Sequence, residues 1–303
     1  MKILVTGGLG AVGTPLVALL QERGHEVWVA DRGHNHHSQY LRCDIGEFRQ
    51  VEALFGDRTF DLVYHLAAEF GRWNGEDFYE TMWKSNAIGT KHMIRMQERL
   101  GFRMVFTSSS EVYGDYRGIM HEDVLTATPI RQMNDYAISK WVSEQQIMNS
   151  ADMHGTETVR VRLFNTYGPG EYYAPYRSVI CRWIYHVLHN QPYTVYTGHK
   201  RTSTYVNDTV RTLANIAANF KPGEVYNITG SSLHDMKTPS DIILRQLGLD
   251  DSRVIYREHE PQTTLEKIVD GGKGQRDLDM ATTVGLEEGI SRTIAWQRQV
   301  YGV

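Results

Sequence analysis

The run Thr6-Gly7-Gly8-Leu9-Gly10-Ala11-Val12-Gly13 follows directly on the apolar segment Ile3 to Val5 and opens a helical pattern that extends from Ala11 to Arg23. Three glycines at this spacing, between a strand and a helix, leave few folds open. Gly7 permits a tight turn, Gly10 lets the backbone approach a pyrophosphate, and Gly13 lets the helix pack closely on the strand. The helix then offers its first amides to the phosphates, so Ala11 and Val12 are counted with the glycines as cofactor-binding residues. A glycine triplet alone is weak evidence. It gains weight from Asp31, which ends the second apolar run about 20 residues further on, where an acid accepts hydrogen bonds from an adenosine ribose.

Apolar runs alternate with helical patterns through the first half. Ile3 to Val5, Val27 to Ala30, Leu62 to His65, Met104 to Thr107 and Val159 to Leu163 read as buried parallel strands; Ala11 to Arg23, Glu47 to Phe55, Glu76 to Leu100 and Tyr136 to Met153 read as helices. Repeated βαβ units predict an α/β fold, a Rossmann-like doubly wound parallel sheet with helices on both faces. After about residue 165 the pattern loosens into a tyrosine-rich loop, a helix near Ser178 to Asn190, short strands at Thr194 to Tyr196 and Val225 to Ile228, a helix opened by Thr238-Pro239-Ser240, and a last helix from Leu286 to Tyr301. The expected division is a dinucleotide domain over 1–165 and a smaller C-terminal substrate-binding lobe over 166–303, with interleaved segments allowed, and a cleft between them at the strands' C-terminal edge.

The 303 residues carry a net charge of -4, which gives no reason to expect nucleic acid or an anionic membrane as partner. No apolar run reaches membrane-spanning length, and the first strand begins at once, so a cytoplasmic protein is expected. Two cysteines, Cys43 and Cys181, are too few for a disulfide framework. The histidines of His34-Asn35-His36-His37 lack an acidic or cysteine partner and read as solvated, so no metal is expected.

Asp31 also bears on the cofactor. A carboxylate beside the ribose 2' position repels an added phosphate, which favours NAD over NADP, with Arg32 the residue that argues the other way. Asp44 and Ile45 are placed to hold the adenine, and Leu66, Ala67 and Ala68 to line the opposite side. Further on, Tyr136 and Lys140 stand four apart in a helix, so the ammonium can lie beneath the phenol and lower its pKa from about 10, making it a base toward an alcohol.

Gly7, Gly10, Gly13, Asp31, Asn86, Ser109, Tyr136 and Lys140, in this order, resemble the extended short-chain dehydrogenases, specifically the NAD-dependent nucleotide-sugar epimerase/dehydratase family. The segments Arg162 to Gly170 and Tyr205-Val206-Asn207-Asp208 extend the likeness over essentially the whole chain. The resemblance implies Tyr136 as base, Lys140 as the residue that tunes it and holds the nicotinamide ribose, Ser109 bonding the sugar's 4-oxygen, and Asn86 among the cofactor residues. It implies Asn165 and Arg201 at the substrate diphosphate and a homodimer built on the two long helices, whose apolar residues include Met82, Trp83, Ile88, Met93, Met96, Trp141, Ile147 and Met148. Arg177, Tyr196 and the tyrosines at 172 to 176 are candidate base and sugar contacts.

The family begins by oxidising the sugar at C4, after which the protein decides the product. Ser110-Glu111 follows Ser109, and a carboxylate there suits C5 deprotonation, as a 4,6-dehydratase needs. That outcome is favoured on sequence, with a 4-epimerase and a UDP-glucuronate decarboxylase as alternatives, since the Ser-Glu pair resembles GDP-mannose 4,6-dehydratases and UDP-glucuronate decarboxylases alike. In a decarboxylase, Arg72 would be the cation for the substrate carboxylate; its other reading is a surface arginine stacked on Trp73. A non-catalytic NAD-binding protein and a carbonyl reductase with free NAD are the readings outside this class.

Overall fold

The computed structural model describes all 303 residues. Seven strands form one parallel sheet: β1 (Lys2–Thr6), β2 (Glu26–Asp31), β3 (Tyr40–Arg42), β4 (Leu62–His65), β5 (Arg103–Ser109), β6 (Thr158–Leu163) and β7 (Val225–Ile228), in the order β7-β6-β5-β4-β1-β2-β3. Side chains along a strand alternate between faces, so each apolar run divides into two sets. Ile3, Val5, Leu62, Tyr64 and Val105 enter one core with Leu16 and Leu20 of the helix Gly13–Glu22 and Val210 and Leu213 of the helix Val206–Asn215. Leu4, Val63, Met104 and Phe106 enter the other, against Val51, Leu54 and Phe55 of the helix Phe48–Phe55 and Met93, Ile94 and Met96 of the helix Gly89–Leu100. Both faces are covered, which is why these strands are apolar throughout rather than alternating.

Strand order reverses between β1 and β4, and the crevice beyond their carboxyl ends is where such sheets take ligands. The loops after these two strands touch: a Cβ added to Gly7, whose φ is +71°, would lie 2.7 Å from the Ala67 amide nitrogen.

The sheet does not end at residue 165. β7 pairs in parallel with β6, with Val225 opposite Arg160 and Ile228 opposite Leu163, so the chain returns to the sheet after entering the second half. The lobe is built from what lies between and after: the pairs Tyr193–Tyr196 with Val254–Arg257, and Lys200–Thr202 with Leu233–Asp235. The segment read as one helix from Glu76 to Leu100 is interrupted, running as Arg72–Asp77, Tyr79–Trp83, a π-turn over Lys84–Ile88, and Gly89–Leu100. The cap expected from Thr238 comes instead from Asp235, whose Oδ1 accepts from the Thr238 amide at 2.8 Å. Met82, Met93, Met96 and Ile147 are buried in the chain's own interior, whereas Ile88 is exposed.

Candidate active site

A single cleft of about 540 Å³ runs from the glycine loop to the lobe. At its cofactor end the loop has no room for larger residues: a Cβ on Gly13 would sit 2.2 Å, and one on Gly10 3.2 Å, from the Gly7 carbonyl oxygen. No side chain caps the helix Gly13–Glu22, leaving its N-terminus to the cleft. Asp31 accepts from the Leu9 amide through Oδ2 at 3.0 Å, fixing the acid against the loop. Arg32 is drawn the other way, its guanidinium 2.8 Å from Glu69 Oε1. Asp44, Ile45, Leu66, Ala67 and Ala68 line the same end.

Asn86 does not. It is 1% exposed and lies behind the cleft wall, its Nδ2 donating to the Glu69 carbonyl and its Oδ1 accepting from the Glu69 amide, both at 2.9 Å. An amide engaged in this way braces the loop after β4, and Asn86 does not line the cleft in which the cofactor residues gather.

Ser109 ends β5, and its Oγ accepts from the Glu111 amide at 3.2 Å, capping the short turn Ser110–Tyr113. Tyr136 and Lys140 project from the helix Asp135–His154, which Asn134 caps by accepting from the Ala137 amide at 2.8 Å. Ser109, Ser110, Glu111, Tyr136 and Lys140 all reach the cleft. Burial pushes the Tyr136 phenol up to about 12, against a hydrogen bond with Ser109 that favours the phenolate. Burial likewise pulls Lys140 down to about 7, opposed by Glu144 one turn along. The Lys140 ammonium donates to the Thr107 carbonyl at 2.8 Å, and burial is the largest influence on the Tyr136 phenol.

Beyond Tyr136 the charges gather. Glu111 would be raised by burial, but Lys267, Arg72 and Arg201 outweigh it and hold its carboxyl at about 2. Lys267 Nζ lies 2.5 Å and Arg72 3.5 Å from Glu111 Oε1. Arg72 also pairs with Glu260 at 2.6 Å. It is therefore no surface arginine stacked on Trp73; two carboxylates draw it inward. Arg201 donates to the carbonyls of Lys200, Thr264 and Leu265, so most of its guanidinium is spent on the lobe's own backbone. Asn165 holds a left-handed φ of 40° while its Nδ2 bonds the Thr202 carbonyl at 2.8 Å, an unusual conformation for a residue on a cleft wall. Arg177, stacked on Phe70, and Tyr196 also line this end. Of the tyrosines at 172 to 176, only Tyr176 does; Tyr172 packs on Trp296 and Tyr173 stacks on Tyr185.

The profile of the NAD dependent epimerase/dehydratase family matches residues 3–229. The chain belongs to this family. The fit is local as well as overall: the glycine cradle, Asp31 and the uncapped helix are what an NAD pyrophosphate and ribose need, and NAD is the cofactor. Within the family, the chain is 29% identical over 321 aligned positions to UDP-N-acetyl-alpha-D-glucosaminuronate decarboxylase of Bacillus cytotoxicus, covering 99% of this chain and 98% of that one. It is 30% identical over 308 positions to UDP-glucuronic acid decarboxylase 6 of Arabidopsis thaliana, covering 96% and 87%. Among solved structures it superposes on MoeE5 in complex with UDP-glucuronic acid and NAD with a TM-score of 0.88 at 26% identity, over 99% of this chain and 100% of that one.

Three charged residues at this end escape sequence reading. Glu260, Lys267 and Arg182 carry no motif of their own; they come from the lobe, far along the chain from Glu111 and Arg72, and only the fold joins them.

Proposed function

We propose that this enzyme oxidises a UDP-linked uronic acid at C4 and releases its C6 carboxylate as carbon dioxide, leaving a UDP-pentose. The observation that carries this reading is the pinning of Glu111 between Lys267 and Arg72. A 4,6-dehydratase needs a carboxylate that removes the C5 proton, and one held at about 2 by two cations is a weak base for that step. A 4-keto uronic acid needs no such base, because the C5–C6 bonding pair moves toward the ketone as carbon dioxide leaves. It needs cations beside the carboxylate and a proton at C5. Arg72, Arg182, Arg201 and Lys267 against Glu111 and Glu260 give this end of the site a positive surplus. The uronate decarboxylases among the relatives support the same substrate, and with it the uridine.

In this reading Tyr136 is the acid-base group at the C4 hydroxyl, its phenolate favoured by the Ser109 hydrogen bond and by the positive charge that NAD would bring, Ser109 holds the sugar oxygen, and Lys140 orients the ribose of the cofactor. NAD supplies the hydride acceptor and donor. This moves the decarboxylase ahead of the dehydratase that Ser110-Glu111 alone favours.

Incubation of the enzyme and NAD with UDP-glucuronate, followed by NMR and carbon dioxide capture, tests it. A UDP-pentose carrying solvent deuterium at C5 is expected. A 4-keto-6-deoxy product from a neutral UDP-sugar, or a UDP-uronate of unchanged formula with inverted C4, would overturn it.

A further inference from the structure

Glu260 has no place in the chemistry above, yet it sits in the cleft with its carboxylate 2.6 Å from Arg72. Both side chains are largely shielded from water, at 12% and 17% exposure, so neither partner is merely a solvated surface charge. Glu111 has its nearer cation in Lys267, 2.5 Å away against 3.5 Å for Arg72. Arg72 is thus held chiefly by an internal carboxylate, in the cleft where a substrate's carboxylate must be received.

A second guanidinium stands near. Arg182, on the helix Val179–Leu188, also lines the cleft, makes no ion pair, and has a buried Nε with no hydrogen-bond partner. Burial works against its charge, and Glu260 is the strongest of the nearby groups that favour it. The main chain between them is fixed, because the Glu260 amide donates to His199 Nε2 at 2.8 Å while His199 Nδ1 bonds the Thr264 carbonyl at 3.1 Å. Movement at this position therefore falls to the Glu260 side chain, whose charge already acts on Arg182.

We infer that Glu260 is a specificity residue: its carboxylate and that of the uronic acid compete for Arg72, and Arg182 receives Glu260 when the substrate wins. This rests on the uronate reading and adds to it a way of refusing neutral sugars. A UDP-hexose with a C6 hydroxyl cannot displace a carboxylate from a guanidinium, so it leaves the Arg72–Glu260 pair across its path; a uronate replaces one ion pair with another and gains the Arg182 pair as well.

The test is calorimetric binding of UDP-glucuronate, UDP-glucose and UDP to the NAD-loaded protein, compared with Glu260→Gln and Arg182→Gln. Glu260→Gln removes the pair that stands across a neutral sugar's path and should tighten UDP-glucose, lowering the preference for UDP-glucuronate about tenfold. Arg182→Gln removes the receiver and should weaken UDP-glucuronate about tenfold on the same ratio, with melting temperatures confirming that both variants fold. A ratio unchanged in both variants, or a wild type that binds the two sugars equally, overturns the inference. Product analysis is separate: a lowered ratio in the variants without decarboxylation by the wild type keeps the gate and rejects the reaction, whereas decarboxylation with an unmoved ratio does the reverse.

Discussion

Across 156 residues of chain, Lys267 brings its ammonium to 2.5 Å from Oε1 of Glu111, which shares the cleft with Ser109 and Tyr136, and the pair is largely shielded from water. The carboxyl is held at about 2, well below its ordinary 4.5, so the stability it contributes is present above pH 4.5 and is lost as the pH falls toward 2. Lys267→Met should lower stability at pH 7 by about 3 kcal/mol, because one charge of a buried pair is left behind. Lys267→Arg should recover most of it. Denaturant unfolding of the two variants compares them directly, and equal stabilities for Lys267→Met and the wild type would show that the pair contributes nothing.

Tyr136→Phe removes one oxygen from a packed site. Turnover should fall by a factor of about 10² to 10⁴, the usual contribution of a positioned acid-base group, with NAD content and melting temperature preserved. Steady-state kinetics and the absorbance of released nucleotide distinguish loss of chemistry from loss of cofactor. Substantial residual activity would remove Tyr136 from the reaction.

Lys140 presents the opposite balance between activity and stability. Burial brings its ammonium down to about 7 from an ordinary 10.5, so between those values the unfolded chain binds the extra proton and stability rises with pH. Below pH 7 the folded protein carries the whole cost of a buried charge. Lys140→Met should therefore abolish activity yet raise stability by about 1–3 kcal/mol at pH 6, with the gain shrinking as the pH approaches 10. Thermal melts across that range provide the measurement, and a variant less stable than wild type at pH 6 would show that the Thr107 hydrogen bond outweighs desolvation.

Gly13→Ala places a methyl carbon 2.2 Å from the Gly7 carbonyl oxygen, a main-chain atom that cannot swing aside. The loop must open, at a cost of about 1–3 kcal/mol, and it opens where the pyrophosphate is cradled. The purified variant should hold at least about tenfold less NAD than wild type, as read by extraction and enzymatic assay. Full NAD content would show that the cradle is more forgiving than this geometry allows.

How far the sequence could be read follows from the range of the interactions concerned. The glycine loop, the strands from Ile3 to Val225 and the Tyr136-Lys140 spacing are local patterns, and each appears in the fold at its expected position. Asn86 was legible as a residue of interest but not as a brace, because its partner Glu69 is set by the turn after β4. The single helix expected over Glu76 to Leu100 breaks at Phe78, whose φ of -136° and ψ of 55° leave the helical region, and then continues through the π-turn to Leu100. Glu260 and Lys267 lie in a stretch without helical or strand periodicity, and nothing short of the tertiary fold brings them to Arg72 and Glu111.

The return of the chain to form β7 has a consequence for how such a molecule diversifies. Everything between β6 and β7, including Asn165, Arg177, Arg182 and Arg201, is an excursion whose two ends are stitched into neighbouring strands. Loops on that excursion can lengthen, shorten or exchange charges without moving the scaffold that carries Tyr136. A fragment ending at residue 165 would instead leave β6 as a bare edge, open to pairing with other chains. The segment most open to change in substrate choice is thus one that the scaffold cannot shed.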